Sequence, residues 1–238
     1  AIWGDIYAPL QAIADEGVAF TRVGQIVGTG WSLAGVAATQ CGVPLVPNGL
    51  LYNTNFEDLN NFTPGVRCLG DVLNDHGYSS IFINGAKERW GGMDKLFETH
   101  GFTQMIGRET LDSMFDRAEL DAALIGWMLD DQLVLDAADK VHAEMAANPA
   151  PYALVVETVG PHGSNNMISR NCNADGRSGF STDLRLGLTC TIKDTVALIA
   201  KVRARQAALR PDRPLLVVLA SDHLNHAGTP PQTAADFA

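Results

Sequence analysis

The sequence predicts an α/β domain in which a largely parallel sheet is sandwiched by helices. Apolar runs of strand length, such as Tyr78 to Ile83, Tyr152 to Val156 and Leu215 to Ala220, alternate with helical patterns of about ten residues or more. The residues able to do chemistry fall just after those runs, where parallel sheets gather their sites. With 238 residues, 46% of them hydrophobic and 18% charged, the chain can bury one full core, so a single domain over 1–238 is expected.

Taken in order, Tyr7 to Glu16 carries Leu10, Ile13 and Ala14 at helical spacing and stops at Gly17. Val18 to Val23 alternates like a strand, and Arg22 to Val27 is also strand-like. Ser32 to Gln40 is a helix of small residues that can pack closely. Arg67 to His76 is a helix closed by Gly77, and Tyr78 to Ile83 a strand running into Asn84-Gly85. Asp130 to Ala147 is a long amphipathic helix, Tyr152 to Glu157 a buried strand opening onto Thr158 to Gly163, and Asp194 to Leu209 a helix that presents Val196, Ile199 and Val202 before the last strand, Leu215 to Ala220. No run approaches the length of a membrane-spanning helix, and the start lacks the pattern of a secretory signal.

A net charge of −10 without any Lys/Arg-rich block argues against a nucleic-acid surface. An anionic substrate would then have to be met by a local positive site, for which a metal ion is the obvious candidate. Four cysteines without CxxC spacing argue against structural zinc. They allow three pairings, of which Cys41 with Cys68 and Cys172 with Cys190 are favoured because each closes a short loop. In an oxidising compartment each would stabilise the fold by about 3 kcal/mol.

Two distant segments carry the chemistry. Gly28-Thr29-Gly30-Trp31-Ser32 sets a hydroxyl at the mouth of a Gly-rich turn leading into a helix, and Ser221-Asp222-His223 sets a carboxylate and an imidazole directly after an apolar run. Together they describe a metal-activated nucleophile: a cation on Asp222 and His223 would activate the Ser32 hydroxyl, with the helix start adding positive charge where a phosphoryl group sits. A serine-hydrolase triad fits poorly, since the turn around Ser32 is one residue too long for G-x-S-x-G and adjacent Asp222 and His223 are badly placed to orient one another. Sulfatase chemistry needs Pro and Arg at set spacing after the nucleophile, which Ser32 to Val36 lacks.

Each residue also has a plainer reading. Ser32 can be a helix N-cap, Asp222-His223 a solvated strand end, His162 a loop histidine and Trp90 or Trp127 core. Asp130-Asp131 opens the following helix, where acidic side chains suit the helix dipole. His76 and His100 each precede a Gly at a helix end and His142 sits on a polar helix face, so these three read as structural; His226, at His-x-x-His spacing from His223, has no helical pattern around it.

These motifs resemble the phosphoglycerol transferases that decorate osmoregulated periplasmic glucans, relatives of lipoteichoic acid synthase in the alkaline phosphatase and sulfatase superfamily. The resemblance rests on Gly28 to Ser32, Ala38 to Leu45, Cys68 to Asp71, Thr99 to Phe102, Gly126-Trp127 with Asp130-Asp131, and Ser221 to Leu224, in order along nearly the whole chain. It implies a catalytic domain of a longer membrane-anchored protein at the periplasmic face of the bacterial inner membrane. Ser32 falls on the nucleophile and metal-ligating hydroxyl, Asp222 and His223 on paired metal ligands, and His162 on a histidine contacting the transferred group. Trp90 falls near a site-lining aromatic, while Gly92 stands where a phosphate-binding Arg is expected. The implied cofactor is a divalent metal, manganese first, then zinc or magnesium; the implied partners are a phosphatidylglycerol headgroup donor, a glucan acceptor and, through the upstream region, the membrane surface. The resemblance also implies a strand ahead of Ala1, ending in a Glu that completes the metal site, so the expectation is a domain lacking its first strand. A phosphoethanolamine transferase, a phosphodiesterase or sulfatase-like hydrolase, and a non-catalytic binding domain are the alternative readings.

Overall fold

The computed structural model describes residues 4–45, 58–162 and 166–224. Its centre is a parallel sheet of order β2-β1-β5, formed by β1 (Ser79–Ile83), β2 (Gln104–Ile106) and β5 (Tyr152–Val156). Alternation along β1 splits the core into two layers. Phe82 points to one side, where it stacks on Phe97 with ring centroids 4.0 Å apart and joins Leu33, Ala37, Leu96 and Met93 from α2 (Ser32–Cys41) and α4 (Met93–Thr99). Ile81 and Ile83 point to the other, against Leu111 of α5 (Arg108–Met114) and Leu133, Val134 and Ala137 of α7 (Asp131–Ala147). Burying each such Leu, Ile or Phe stabilises the fold by about 1.5–3 kcal/mol, so these two layers set the sheet's position.

The longest helix, α8 (Leu184–Leu209), packs on α7 and on α1 (Gly4–Asp15). It starts ten residues earlier than its apolar pattern suggests because Asp183 caps it, accepting hydrogen bonds from the N–H groups of Arg185 and Leu186. The helix α3 (Leu69–Asp75) precedes β1, and α6 (Arg117–Ala123) leads into a short hairpin, β3 (Leu124–Ile125) and β4 (Met128–Leu129). A second hairpin joins β6 (Asn166–Ile168) to β7 (Gly179–Ser181). Disulfides link Cys41 to Cys68 and Cys172 to Cys190.

Some expected strands do not form. Residues 18–27 and 214–220 pair with no strand among the described residues, and most of their apolar side chains face solvent, with Phe20 at 82% and Leu216 at 85% exposure. Their alternation satisfies the local requirement of a strand, but a strand also needs a neighbouring backbone to hydrogen-bond. For the same reason β5, expected to be fully buried, is half-buried along its length: it is the edge of the described sheet. His142 is also placed differently, buried between α7 and α8, where the Tyr152 hydroxyl and an Arg205 guanidinium nitrogen each come within 3.0 Å of its ring. Burial, then the Arg205 charge, push its pKa down.

Candidate active site

The Gly-rich segment forms a turn at Ile26–Thr29, closed by the Thr29 hydroxyl donating to the Ile26 carbonyl at 2.7 Å, with Gly28 at φ 87°. The chain is extended at Trp31 and enters α2 at Ser32, so Trp31 and not Ser32 is the N-cap. Ser32 is the first helical residue and is buried. A polar group buried at a helix start has the unpaired backbone N–H groups for neighbours, a setting that favours an anion.

The distant Asp222-His223 segment packs directly on this helix. A Cβ on Gly35 would overlap the carbonyl oxygen of Asp222 and lie 2.6 Å from its carbonyl carbon, so only glycine admits the approach. A second tie is made by Gln25, whose side-chain oxygen accepts the Leu224 N–H at 2.6 Å. The two motifs that sequence analysis singled out are thus brought together three residues along the helix from Ser32.

Within the second motif, the His223 Nδ1 lies 2.7 Å from the Leu224 carbonyl oxygen, to which it can only donate. That tautomer leaves Nε2 with its lone pair free to accept, and Nε2 lies 3.3 Å from Asp222 Oδ2.

Sequence analysis missed Glu157, at the end of β5. Its N–H donates to the Ile83 carbonyl at 2.9 Å, and Asn84, at the end of β1, donates to its Oε2 at 3.3 Å. Its Oε1 is sealed from solvent with no hydrogen-bond partner. Burial, reinforced by the Asp222 charge, pushes its pKa up to about 8. A buried carboxyl group with an unpartnered oxygen, under the influence of a second carboxylate's charge, is the electrostatic setting a cation relieves.

His162 lies in the loop after β5 and is exposed, its N–H donating to the Gly160 carbonyl at 2.9 Å. Trp90 packs, partly buried, against the α2 side of the core, and its ring lies 5.4 Å from that of Trp127. Gly92, where the resemblance expects an Arg, has φ 87°, a backbone suited to glycine. His226 lies outside the described residues. His100 is structural: it is buried, with Nδ1 2.9 Å from Asp71 Oδ2 and Nε2 2.8 Å from the Phe62 carbonyl.

The donor types that Glu157, Asp222, His223 and Ser32 offer, two carboxylates, an imidazole and a hydroxyl, suit a divalent cation, and the unpartnered Oε1 of Glu157 supports that fit. The acidic and imidazole donors of Glu157, Asp222 and His223 do not all three lie within 4.8 Å of one another; among the described residues, groups of three His, Cys, Asp or Glu donors at that spacing occur only at Cys41, Cys68 and His100 and at Cys172, Cys190 and Asp194. In both of those groups the sulfurs are already joined as disulfides.

The fold has counterparts among known proteins. The chain matches the sulfatase family over residues 8–236. It belongs to that family. This sulfatase-family domain is 31% identical over 225 residues to phosphoglycerol transferase I of Escherichia coli strain 55989, which covers 92% of the chain and 28% of the relative. The protein of that name from strain 536 is 30% identical over 228 residues, again covering 28% of its length. The domain therefore spans little more than a quarter of these curated relatives. Among solved structures, the lipoteichoic acid synthase LtaP of Listeria monocytogenes superposes with a TM-score of 0.59 at 13% identity, over 84% of this chain and 47% of that one. An alkaline phosphatase superfamily protein of Vibrio parahaemolyticus gives 0.50 at 18% identity, over 72% and 39%. At these identities the two likenesses show a shared fold.

Proposed function

We propose that this domain transfers phosphoglycerol from the headgroup of phosphatidylglycerol to a glucan hydroxyl, with Ser32 as nucleophile, at the periplasmic face of the bacterial inner membrane. The observation that supports it best is the close approach of the Asp222 backbone to Gly35, which sets the Asp222-His223 segment against the helix that begins at Ser32. The similarity to phosphoglycerol transferase I supports the substrate class.

Ser32, Asp222 and His223 would hold the divalent cation, manganese before zinc or magnesium, with Glu157 the further carboxylate at that edge. When bound, the cation supplies activation of the serine hydroxyl and stabilisation of charge on the phosphoryl oxygens. Ser32 Oγ attacks phosphorus: the Oγ–P bond forms, the bond from phosphorus to the diacylglycerol oxygen breaks, and the hydroxyl proton ends on that departing oxygen. The acceptor hydroxyl then attacks the same phosphorus, the Oγ–P bond breaks and Ser32 regains a proton. His162 holds the transferred group and assists the proton's movement, and Trp90 lines the site.

The test is headgroup release from phosphatidylglycerol by the full-length protein, with mass spectrometry of the Ser32 peptide. A phosphoglyceryl adduct on Ser32 is expected. Release from phosphatidylethanolamine in preference to phosphatidylglycerol would point instead to phosphoethanolamine transfer.

A further inference from the structure

Asp131 is a buried acid that the proposed reaction leaves unused. It is the first residue of α7, Asp130 being the N-cap, and it is 2% exposed. Its carboxylate faces out of the helix into the loop after β5 and accepts three hydrogen bonds. The Val159 N–H donates to Oδ1 at 2.7 Å, the Gly160 N–H to Oδ2 at 2.9 Å, and the Thr191 hydroxyl of α8 to Oδ2 at 2.8 Å. The fit leaves no slack: a Cβ on Gly160 would overlap the Thr191 hydroxyl and stand 2.6 Å from Asp131 Oδ2.

The Gly160 peptide carries this grip onward. Its carbonyl accepts the N–H of His162 at 2.9 Å and that of Met167 at 2.7 Å. On the far side of His162, the neighbouring Asp130 accepts the Arg170 N–H and an Arg170 guanidinium nitrogen, both at 2.8 Å. Two consecutive acids at the start of one helix therefore clasp the chain on both sides of His162, and Asp131 holds the nearer side through backbone alone. Opening a helix would need neither a fully buried carboxylate nor three donors converging on it.

We propose that Asp131 is a positioning residue for the transfer reaction: through the Val159–Gly160 peptide it fixes the place of His162. This rests on the proposed function, in which His162 holds the transferred group. Asp131→Asn keeps the shape but presents an NH₂ group where backbone N–H groups need an acceptor, so the loop loses at least one tie.

The experiment is a double-mutant cycle in the full-length protein with Asp131→Asn, His162→Ala and their combination, reading kcat and KM for headgroup release from phosphatidylglycerol. Each single change is expected to lower kcat by about 10- to 100-fold with little change in KM, the scale on which misplacing a reacting group acts. In the His162→Ala background, Asp131→Asn is expected to cost less than about twofold more, because the group it positions is already gone. If the two losses multiply while His162→Ala alone is impaired, Asp131 does not act through His162 and the proposal is overturned. If His162→Ala is fully active, the role given to His162 falls and this proposal falls with it. Thr191→Val, which removes a single donor from the same carboxylate, serves as a milder second variant and is expected to show the same lack of additivity.

Discussion

Gly35 and Asp222 lie backbone to side-chain position against one another: the space where residue 35 would carry a Cβ is filled by the carbonyl group of Asp222. This places a residue near the end of the described chain against the first turn of α2, and it makes a sharp demand on sequence. Gly35→Ala should lower stability by about 1–3 kcal/mol, the usual cost of overpacking a closed contact. It should also push the Asp222-His223 segment off the helix and so depress headgroup release. Gly24→Ala, at a position with nothing within 4 Å, is the control and should leave both unchanged. Thermal unfolding and activity of the two variants check it; equal behaviour would show that the contact contributes to neither.

Glu157 predicts a pH dependence of stability in the metal-free protein. Its pKa is raised in the fold from 4.5 to about 8, so folding favours the protonated form. The stabilisation this gives is fully present below about pH 4.5 and is lost as pH rises through about 8, at about 1.4 kcal/mol for each pH unit between those two values. Glu157→Gln, which cannot ionise, should flatten that decline, unfolding at a higher temperature than the parent at about pH 8 and much closer to it at about pH 4.5. Thermal melts in a chelating buffer across that range are the measurement. A parallel decline in parent and variant would place the titration elsewhere.

How far the sequence disclosed the fold depends on whether a signal was local. The helix α7 was legible because its apolar spacing and its Asp130 cap lie within one stretch of chain, and β1 because Gly77 and Asn84-Gly85 bracket it. The segments at 18–27 and 214–220 have equally good strand patterns, but pairing is decided by a neighbour, which no local pattern reveals. The site divides the same way. Ser32, Asp222 and His223 stand in recognisable motifs, whereas Glu157 looks like an ordinary solvated strand end until the packing of Asn84 and Asp222 around it is seen. Gln25 carried no signal at all, since its role is a hydrogen bond to a residue 199 positions away.

The disulfide between Cys172 and Cys190 should matter to the loop that follows β5. It fixes the turn just after Arg170 to α8, two residues from the Arg170–Asp130 pair that anchors the same segment. Replacing both cysteines by serine should destabilise the domain by about 2–4 kcal/mol. Limited proteolysis should then cut first near residues 166–183, the stretch the bridge secures. Unchanged cleavage there, with stability intact, would show that Asp130 and Asp131 hold the segment unaided.

Ser32 gives the most direct test of chemistry. It is buried at the first position of α2, where the backbone N–H groups of the helix start have no partner within the helix. Ser32→Ala removes the nucleophile and the oxygen assigned to the cation together, and turnover should fall to background with no adduct on the peptide. Ser32→Thr keeps the oxygen and adds one methyl, so substantial activity should survive where that methyl is accommodated, with the phosphoglyceryl group now found on Thr. A mechanism in which water attacks directly predicts a smaller loss for Ser32→Ala and no adduct in either protein. Headgroup release from phosphatidylglycerol, run beside mass spectrometry of the residue 32 peptide, separates the two, and near-normal activity of the alanine variant would refute covalent catalysis through this serine.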